Sequence, residues 1–318
     1  MNTSNTSNET KAIPIMTVRV VAFSSFPVFI LGITLNLLLI RILFTDPNFR
    51  KTTYRLIRMA AISDAIGGIT FLPVIVLFWI ERDYKLSAIV CKISFSSNYV
   101  STSISTMTLA LIAVDRYFVV IRPLSMFYKC HKKKFLILTQ IFIWIASISI
   151  ASPILVFLTA IPGKLSVCDY AVKDLSVSIY IFHLVTLTYI IPVTIIIIAY
   201  TKIIIFQRNY TRPGFWTSEQ LQDDFMKRMK FNKMLIFITC CYVGIGIPHL
   251  FSTMILAAMG QTFTHASGNS AILAAVIQAS VACMYAIGVL NPLVYIIFDK
   301  QIRIAMFSKL KRLFCCNC

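Results

Sequence analysis

The sequence predicts an all-α membrane protein, a seven-transmembrane helix bundle with a short amphipathic eighth helix. Two observations lead to this prediction. The 318 residues are 58% hydrophobic and only 13% charged, with a mean hydropathy of +0.80, and a soluble domain of this length could not bury so much apolar surface. The charged residues are also clustered, and most uncharged runs between them are long enough to cross hydrocarbon, which takes about 20 residues.

The uncharged runs place the transmembrane segments in order. They extend over Val20 to Ile40, Ala65 to Ile80, Ile93 to Val114, Phe135 to Gly163, Leu175 to Thr201 and Met234 to Phe298. The second segment begins near Thr53 and carries the acid Asp64 well inside it. The last run is long enough for two segments, with the stretch Gly260 to Ser270 as the turn, so the total is seven.

Three regions follow from these boundaries. An extracellular glycosylated tail occupies residues 1–19, the seven-transmembrane bundle residues 20–298, and a cytoplasmic tail residues 299–318. The last region begins with a basic, amphipathic stretch, about Lys300 to Leu313, which is predicted to form the eighth helix along the inner leaflet. Because no apolar signal-peptide core opens the chain, the first span is expected to act as an uncleaved anchor.

The basic residues predict the orientation. If the amino terminus lies outside, most of the 30 Lys and Arg fall in cytoplasmic loops, as the positive-inside rule requires. This arrangement explains the net charge of +18 through contacts with anionic membrane lipids and a cytosolic partner. Nucleic acid is excluded as a partner because the basic residues are spread over separate loops.

The amino-terminal tail contains three glycosylation sequons, at Asn2, Asn5 and Asn8. Chance is the alternative explanation in a tail rich in Ser, Thr and Asn. Since the charge distribution places this tail outside, glycosylation at all three residues is expected.

The strongest functional signal is Asp115-Arg116-Tyr117, at the end of the uncharged third span. An acid and an arginine cost free energy at a membrane boundary unless they pair or reach water, so the pair is a functional hypothesis. Together with Asn291-Pro292-Leu-Val-Tyr295, it resembles the rhodopsin-like family of G-protein-coupled receptors. Other spans carry further matches, at Asn36, Asp64, Trp144, Pro192 and Tyr200.

The resemblance implies a plasma-membrane receptor without catalytic residues, in which occupancy of an outer pocket promotes nucleotide exchange on a heterotrimeric G protein. Residues implied in coupling and activation are Asp115, Arg116, Tyr117, Tyr200, Asn291, Pro292 and Tyr295. Arg116 is expected to make the coupling contact and Asp115 to restrain it. Pro292 removes a backbone hydrogen bond and leaves the seventh helix deformable.

The resemblance also implies covalent features. A disulfide between Cys91 and Cys168 would hold the loop after the fourth span over the outer mouth of the bundle. Palmitoylation of Cys315, Cys316 and Cys318 would fix the eighth helix to the membrane, with reduced cytosolic thiols as the alternative.

A cluster of Asp64, Ser105 and Asn291 is expected in the middle of the bundle, where similar receptors hold a sodium ion that favours the inactive state. Here Ile287 and Gly288 replace the Asn and Ser often found just before the Asn-Pro pair. A protonated or water-bridged Asp64 is therefore an equal alternative to a structural sodium ion. No other cofactor is expected.

Two departures from the family pattern concern the sixth span. The usual Cys-Trp-x-Pro is Ile245-Gly246-Ile247-Pro248, so ligand sensing must use contacts other than the indole, whose absence is expected to deepen the pocket. The acid that often restrains the arginine is Arg228, and Asp224 could substitute only if the helix extends that far. Weakened restraint and measurable basal signalling are predicted.

The implied pocket gives a ligand class. Its residues are Asn98, Thr102, Leu184, Thr188, His249, Thr253, Val281 and Tyr285. Amine receptors have an aspartate in place of Asn98, and opsins a lysine in place of Tyr285, so neither class fits. A neutral small molecule or lipid-like ligand suits the mostly apolar set.

Other functions stay as alternatives or are disfavoured. A short peptide held by acids at the rim (Glu81, Asp83, Asp169 and Asp174) is one alternative, and an orphan receptor with constitutive or heteromeric function is another. A dimer is a further partner prediction. A transporter is disfavoured because the spans contain almost nothing ionisable except Asp64 and show no internal repeat. An enzyme is not expected, since the four histidines show no metal-ligand spacing.

Overall fold

The computed structural model describes the backbone of residues 15–77, 84–122, 126–161, 167–170, 174–209, 219–261, 266 and 271–315, with most of the side chains in these ranges. Among these residues, seven helices are long and apolar enough to cross a membrane. The predicted fold class, a seven-helix bundle with an eighth helix, is therefore confirmed.

The helices follow one another along the chain with short connections. They are α1 (Ile15–Thr45), α2 (Thr52–Leu77), α3 (Tyr84–Ile121), α4 (Met126–Ala151), α5 (Leu175–Val185, a π-helical turn Thr186–Ile190, and Ile191–Asn209), α6 (Glu219–Ala258), α7 (Ala271–Phe298) and α8 (Lys300–Cys315). A 3₁₀ turn, Pro47–Phe49, lies between α1 and α2, and a helical turn, Ile154–Phe157, follows α4.

A small hairpin, which the sequence pattern did not predict, follows α4. Strand β1 (Leu158–Ile161) pairs antiparallel with β2 (Val167–Tyr170), and Ala160 lies opposite Cys168. The hairpin packs against α3 through a buried apolar cluster that includes Leu158, Ala160 and Tyr170. This places the loop between α4 and α5 against the bundle.

The bundle is apolar outside and partly polar inside, as a lipid environment requires. Phe142 is 68% exposed, and such side chains face hydrocarbon. Small polar side chains lie between the helices, where they allow close approach and hydrogen bonds. The Ser103 and Ser147 hydroxyls are 2.9 Å apart between α3 and α4, and Asn36 of α1 donates to the Gly288 carbonyl oxygen of α7 at 2.8 Å.

Helix α8 is anchored at its beginning by a polar cap. Asp299 Oδ1 accepts the backbone N–H of Ile302 at 3.2 Å, as an N-cap residue does. Asp299 Oδ2 accepts the Tyr54 hydroxyl of α2 at 2.8 Å. The buried side chain of Ile302 packs in the main core, the buried apolar cluster that also contains Leu39, Ile57 and Ile112. The helix extends to Cys315, slightly beyond the predicted end at Leu313.

Candidate functional site

The predicted acid–arginine pair lies near the carboxyl-terminal end of α3 and forms an ion pair. Arg116 Nη2 donates to Asp115 Oδ2 at 2.7 Å, and the side chains are 15% and 1% exposed. Asp115 Oδ1 also accepts Lys132 Nζ at 2.5 Å and the Tyr128 hydroxyl at 2.7 Å. One buried carboxylate therefore serves two cations and a phenol. Sequence reasoning missed Lys132 and Tyr128, which belong to α4.

The Tyr128 hydroxyl is held as a donor by its surroundings. Burial raises its pKa well above the ordinary value, and the hydrogen bond and negative charge of Asp115 raise it further. Tyr128 therefore stays protonated over the physiological pH range. Its ring stacks on Phe118, with centroids 4.6 Å apart, which keeps α4 against α3.

A second restraint on Arg116 comes from α2. Arg116 Nη2 donates to Thr53 Oγ1, and the Thr53 side chain is buried. The guanidinium therefore contacts an acid on its own helix and a neutral acceptor on α2. Helix α6 begins at Glu219, so it does extend over Asp224 and Arg228, but both of their side chains lie outside the described residues.

The three tyrosines for which the resemblance implied a role in activation lie toward the same end of the bundle. Tyr200 of α5 is buried and hydrogen-bonds to the Thr239 side chain of α6. Tyr295 of α7 is also buried, in the main core. Tyr117 lies at the boundary with α5, where Lys202 Nζ is 5.7 Å from its ring centroid. These contacts join α3, α5, α6 and α7.

The mid-bundle cluster brings together the three residues that the sequence singled out. The Ser105 hydroxyl donates to Asp64 Oδ1, and Asn291 Nδ2 donates to Asp64 Oδ2 at 3.0 Å. Ser101, which sequence reasoning missed, lies one turn before Ser105 and donates to the same oxygen at 3.5 Å. Its spacing of four residues on α3 was the signal that could have identified it.

The oxygens of this cluster are of the type that hard cations prefer. A sodium ion therefore fits the chemistry of Asp64, Ser101 and Ser105. In the arrangement described here, the same carboxylate is satisfied by hydroxyl and amide donors.

A cavity of about 50 Å³ adjoins this cluster and is lined by residues of α1, α2, α3, α6 and α7. Two of the predicted pocket residues, Asn98 and Thr102, lie on its wall together with Asp64. The structure thus connects part of the expected ligand pocket with the buried acid.

The other predicted pocket residues lie on α5, α6 and α7. Leu184 is buried in the apolar cluster that packs the hairpin against α3, and His249 is also buried. The Thr188 hydroxyl donates to the Leu184 carbonyl, and the Thr253 hydroxyl to the His249 carbonyl, both at 2.7 Å. Each threonine hydroxyl thus uses its proton within its own helix. Val281 is half-buried, and the Tyr285 side chain lies outside the described residues.

The expectation of a deeper pocket at Gly246 is wrong, because Tyr189 of α5 occupies the space. A Cβ atom at Gly246 would lie 2.6 Å from Tyr189 Oη and 2.8 Å from its Cε2. The hydroxyl donates to the Val243 carbonyl oxygen of α6 at 2.7 Å. Tyr189 lies in the π-helical turn Thr186–Ile190, and such turns redirect side chains at functional sites.

The outer face contains the disulfide that the resemblance implied. Cys91 of α3 is bonded to Cys168 of β2, which ties the hairpin to the bundle. Two of the suggested rim acids have structural roles. Asp169 is 2% exposed, and Asp174 accepts the Leu175 N–H at 2.6 Å as the cap of α5.

Several predicted residues lie outside the described residues. They are the sequon residues Asn2, Asn5 and Asn8, the rim acids Glu81 and Asp83, and the tail cysteines Cys316 and Cys318. Cys315 ends α8, but its side chain is also outside the described set.

Comparison with known proteins agrees with this architecture. A sequence model described as "7 transmembrane receptor (rhodopsin family)" matches residues 35–295. Similar proteins include neuropeptide Y receptor type 2 of Mus musculus, 26% identical over 256 residues, which cover 77% of this chain and 65% of that receptor. The same receptor of Gallus gallus is 27% identical over 206 residues, which cover 61% of this chain and 52% of the relative. The aligned part therefore spans less than two thirds of each relative. The chain belongs to the rhodopsin family of seven-transmembrane receptors, and it is a receptor rather than an enzyme.

Proposed function

We propose that this receptor promotes nucleotide exchange on a heterotrimeric G protein, with Arg116 as the coupling contact. The observation that best supports this proposal is the position of Arg116, which is largely buried at the end of α3 and contacts Asp115 and Thr53. A cation at the mouth of a bundle that is held partly by a neighbouring helix can be released when the helices move apart. Released, its guanidinium can donate to an inserted partner helix.

The restraint on Arg116 is divided, which supports basal signalling. Lys132 and Arg116 share the Asp115 carboxylate, so the negative charge of Asp115 is divided between two cations. The acceptor on α2, Thr53, is neutral, and hydrogen bonds to neutral acceptors are weaker than those to a carboxylate. In the open state we propose that Tyr117, Tyr200 and Tyr295 support the displaced arginine, and that α7 bends at Asn291 and Pro292.

The test is ligand-free G-protein activation in cells at equal surface expression. Wild type should signal above mock-transfected cells, and Arg116→Ala should remove the signal because the coupling cation is lost. Lys133→Ala, which removes an exposed cation of α4, is the matched control and should retain it. A silent wild type would contradict weakened restraint, and signalling by Arg116→Ala would contradict the role of Arg116.

For the ligand, a short peptide is the candidate that the relatives favour, since their names specify neuropeptide Y. A neutral small molecule or lipid-like ligand is favoured by Asn98 and by the apolar pocket residues. The cavity at Asp64 is about 50 Å³, whereas drug-sized pockets span roughly 300–1,000 Å³. The cavity at Asp64 is therefore too small by itself to hold a drug-sized ligand.

Neuropeptide Y is the first probe for the ligand. A saturable change in G-protein activation that is absent in Arg116→Ala would support the peptide proposal. If the peptide has no effect and a neutral lipid changes the signal, the small-ligand alternative is correct.

We also propose that sodium binds among Asp64, Ser101, Ser105 and Asn291 and favours the inactive state. Thermal unfolding of the purified receptor should shift upward in sodium chloride relative to choline chloride. Asp64→Asn, which removes the charge at nearly constant size, should abolish the difference. Equal shifts in both salts would contradict sodium binding.

The plasma-membrane location, the external amino terminus and the modifications are proposals as well. Glycosidase treatment of intact cells should increase the gel mobility of wild type. The triple Asn→Gln variant at Asn2, Asn5 and Asn8 should not respond. Metabolic labelling with a palmitate analogue tests the tail cysteines by the same comparison.

A further inference from the structure

A second cavity, about 170 Å³, lies at the cytoplasmic junction of α1 and α2, beneath the connection between them. Its charged wall consists of Arg50, Arg55, Arg58 and a single acid, Asp46. Three cations therefore face one small space with one anion. None of these residues takes part in the receptor switch described above.

The positive charge of this wall is not neutralised within the described part of the chain. The ion pairs found there all involve Asp115, at the end of α3. Asp46 has a local role, because its Oδ1 accepts the Asn48 N–H at 3.0 Å and so closes the turn. Arg55 and Arg58 lie three residues apart on one face of α2, a spacing at which like charges repel.

Arg58 is oriented in advance for an anionic ligand. Its Cζ lies 4.0 Å from the centroid of the Phe44 ring, a cation–π contact that fixes the guanidinium plane. Its Nε is buried and has no hydrogen-bond partner among the described residues. A buried donor without an acceptor is unfavourable, and an anionic oxygen in the cavity would remove this cost.

The position of the cavity indicates the source of the anion. Phe44 is 60% exposed and belongs to the transmembrane part of α1, so the cavity adjoins lipid. Lys309 of α8 donates to the Thr45 hydroxyl at its edge and brings one more cation to the site. A guanidinium group binds phosphate oxygens through bidentate hydrogen bonds, and neighbouring arginines can bind the same phosphate together.

We propose that this arginine pocket binds the phosphate headgroup of an anionic phospholipid of the inner leaflet. The lipid's acyl chains would lie along the outer face of α1 beside Phe44, and its phosphates would be held by Arg50, Arg55 and Arg58. Basic pockets between transmembrane helices on the cytoplasmic side suit such headgroups. The bound lipid would join α1, α2 and the connection between them.

The experiment measures binding of a fluorescent phosphatidylinositol bisphosphate to the purified full-length receptor in neutral detergent. Wild type should bind saturably, and the double variant Arg55→Gln/Arg58→Gln should lose roughly tenfold or more in affinity through the loss of two charge-assisted contacts. The matched control is Lys133→Gln/Lys134→Gln, which removes two exposed cations from α4 on the same side of the membrane. This control should bind as wild type does.

A second variant protects the test against misfolding. Phe44→Ala keeps every cation but removes the ring beneath Arg58, and it should also weaken binding. Equal losses in the arginine variant and in the lysine control would overturn the proposal in favour of general charge attraction. Displacement by inorganic phosphate as effective as by unlabelled lipid would overturn the lipid source, and the absence of saturable binding in wild type would overturn the site itself.

Discussion

At the scale of single residues, the ring of Tyr189 lies against Gly246, where related receptors usually have a tryptophan on the sixth helix. The glycine leaves a space on α6, and the Tyr189 ring fills it from α5. The tyrosine hydroxyl reaches the Val243 carbonyl, beside the part of α6 where Pro248 removes a backbone bond. A ligand that displaces Tyr189 would thus act directly on the deformable part of α6.

This contact predicts that two neighbouring substitutions on α6 differ in their effect on stability. Gly246→Ala should lower stability by about 1–3 kcal/mol, because its Cβ would overlap Tyr189 and break the bond to Val243. Gly244→Ala is the control, since its Cβ would meet no atom within 4 Å. Thermal unfolding of the purified receptors measures both. Equal stability of the two variants would contradict the close contact.

At the scale of helices, the proposed switch depends on how α2, α3 and α4 meet at the end of the bundle that contains Asp115 and Arg116. Helix α2 supplies a neutral acceptor to Arg116, while α4 supplies a cation and a phenol to Asp115. The first contact restrains the arginine. The contacts from α4 to Asp115 compete with Arg116 for the carboxylate and so weaken its restraint.

Removal of the α2 contact should increase basal signalling. In Thr53→Val the hydroxyl acceptor is lost at nearly constant shape, so Arg116 is released more easily. A hydrogen bond to a charged group contributes about 1.5–3 kcal/mol, which sets the upper limit of the effect on the equilibrium. Thr52→Val alters the less buried neighbouring threonine and should have little effect. Ligand-free nucleotide exchange measures the difference, and an unchanged rate in Thr53→Val would exclude this restraint.

Removal of the α4 cation Lys132 should have the opposite effect on basal signalling. In Lys132→Gln the full charge of Asp115 acts on Arg116, so the inactive pair becomes stronger and basal signalling decreases. Lys133→Gln, an exposed neighbour, is the control. An increase in the signal of Lys132→Gln, measured in the same exchange assay, would show that Lys132 instead supports the inactive state.

At the scale of the whole molecule, one covalent bond closes the outer end of the bundle. The disulfide joins residues separated by 77 positions and fixes the hairpin against α3. Two residues next to it, Asp169 and Tyr170, are buried. The hairpin is therefore held against the bundle both by apolar packing and by a covalent bond.

Loss of this bond should destabilise the outer half. Cys91→Ser/Cys168→Ser should lower stability by about 2–5 kcal/mol and reduce surface expression. Cys130→Ser replaces an exposed free cysteine and should behave as wild type. Thermal unfolding with and without reductant measures the effect. Wild type that is insensitive to reductant would contradict a stabilising role.

The sequence alone allowed much of the fold to be predicted. The spans follow from long uncharged runs, because a bilayer imposes a length on every apolar helix. The boundary between α6 and α7 was also predictable, since the stretch from Gly260 to Ser270 interrupts one apolar run with polar residues and glycine. The β1–β2 hairpin was missed because its strands are short and lie in a loop with little alternation.

What the sequence by itself determined is the bundle and the residues that carry rare chemistry inside it, such as Asp64 and the Asp115–Arg116 pair. Charge in an apolar span is costly, so its position is visible without a structure. Only the tertiary structure decided some of the partners: Lys132 and Tyr128 for Asp115, and Tyr189 for Gly246. These contacts join different helices, and the periodicity of one helix does not specify which side chain of another will meet it.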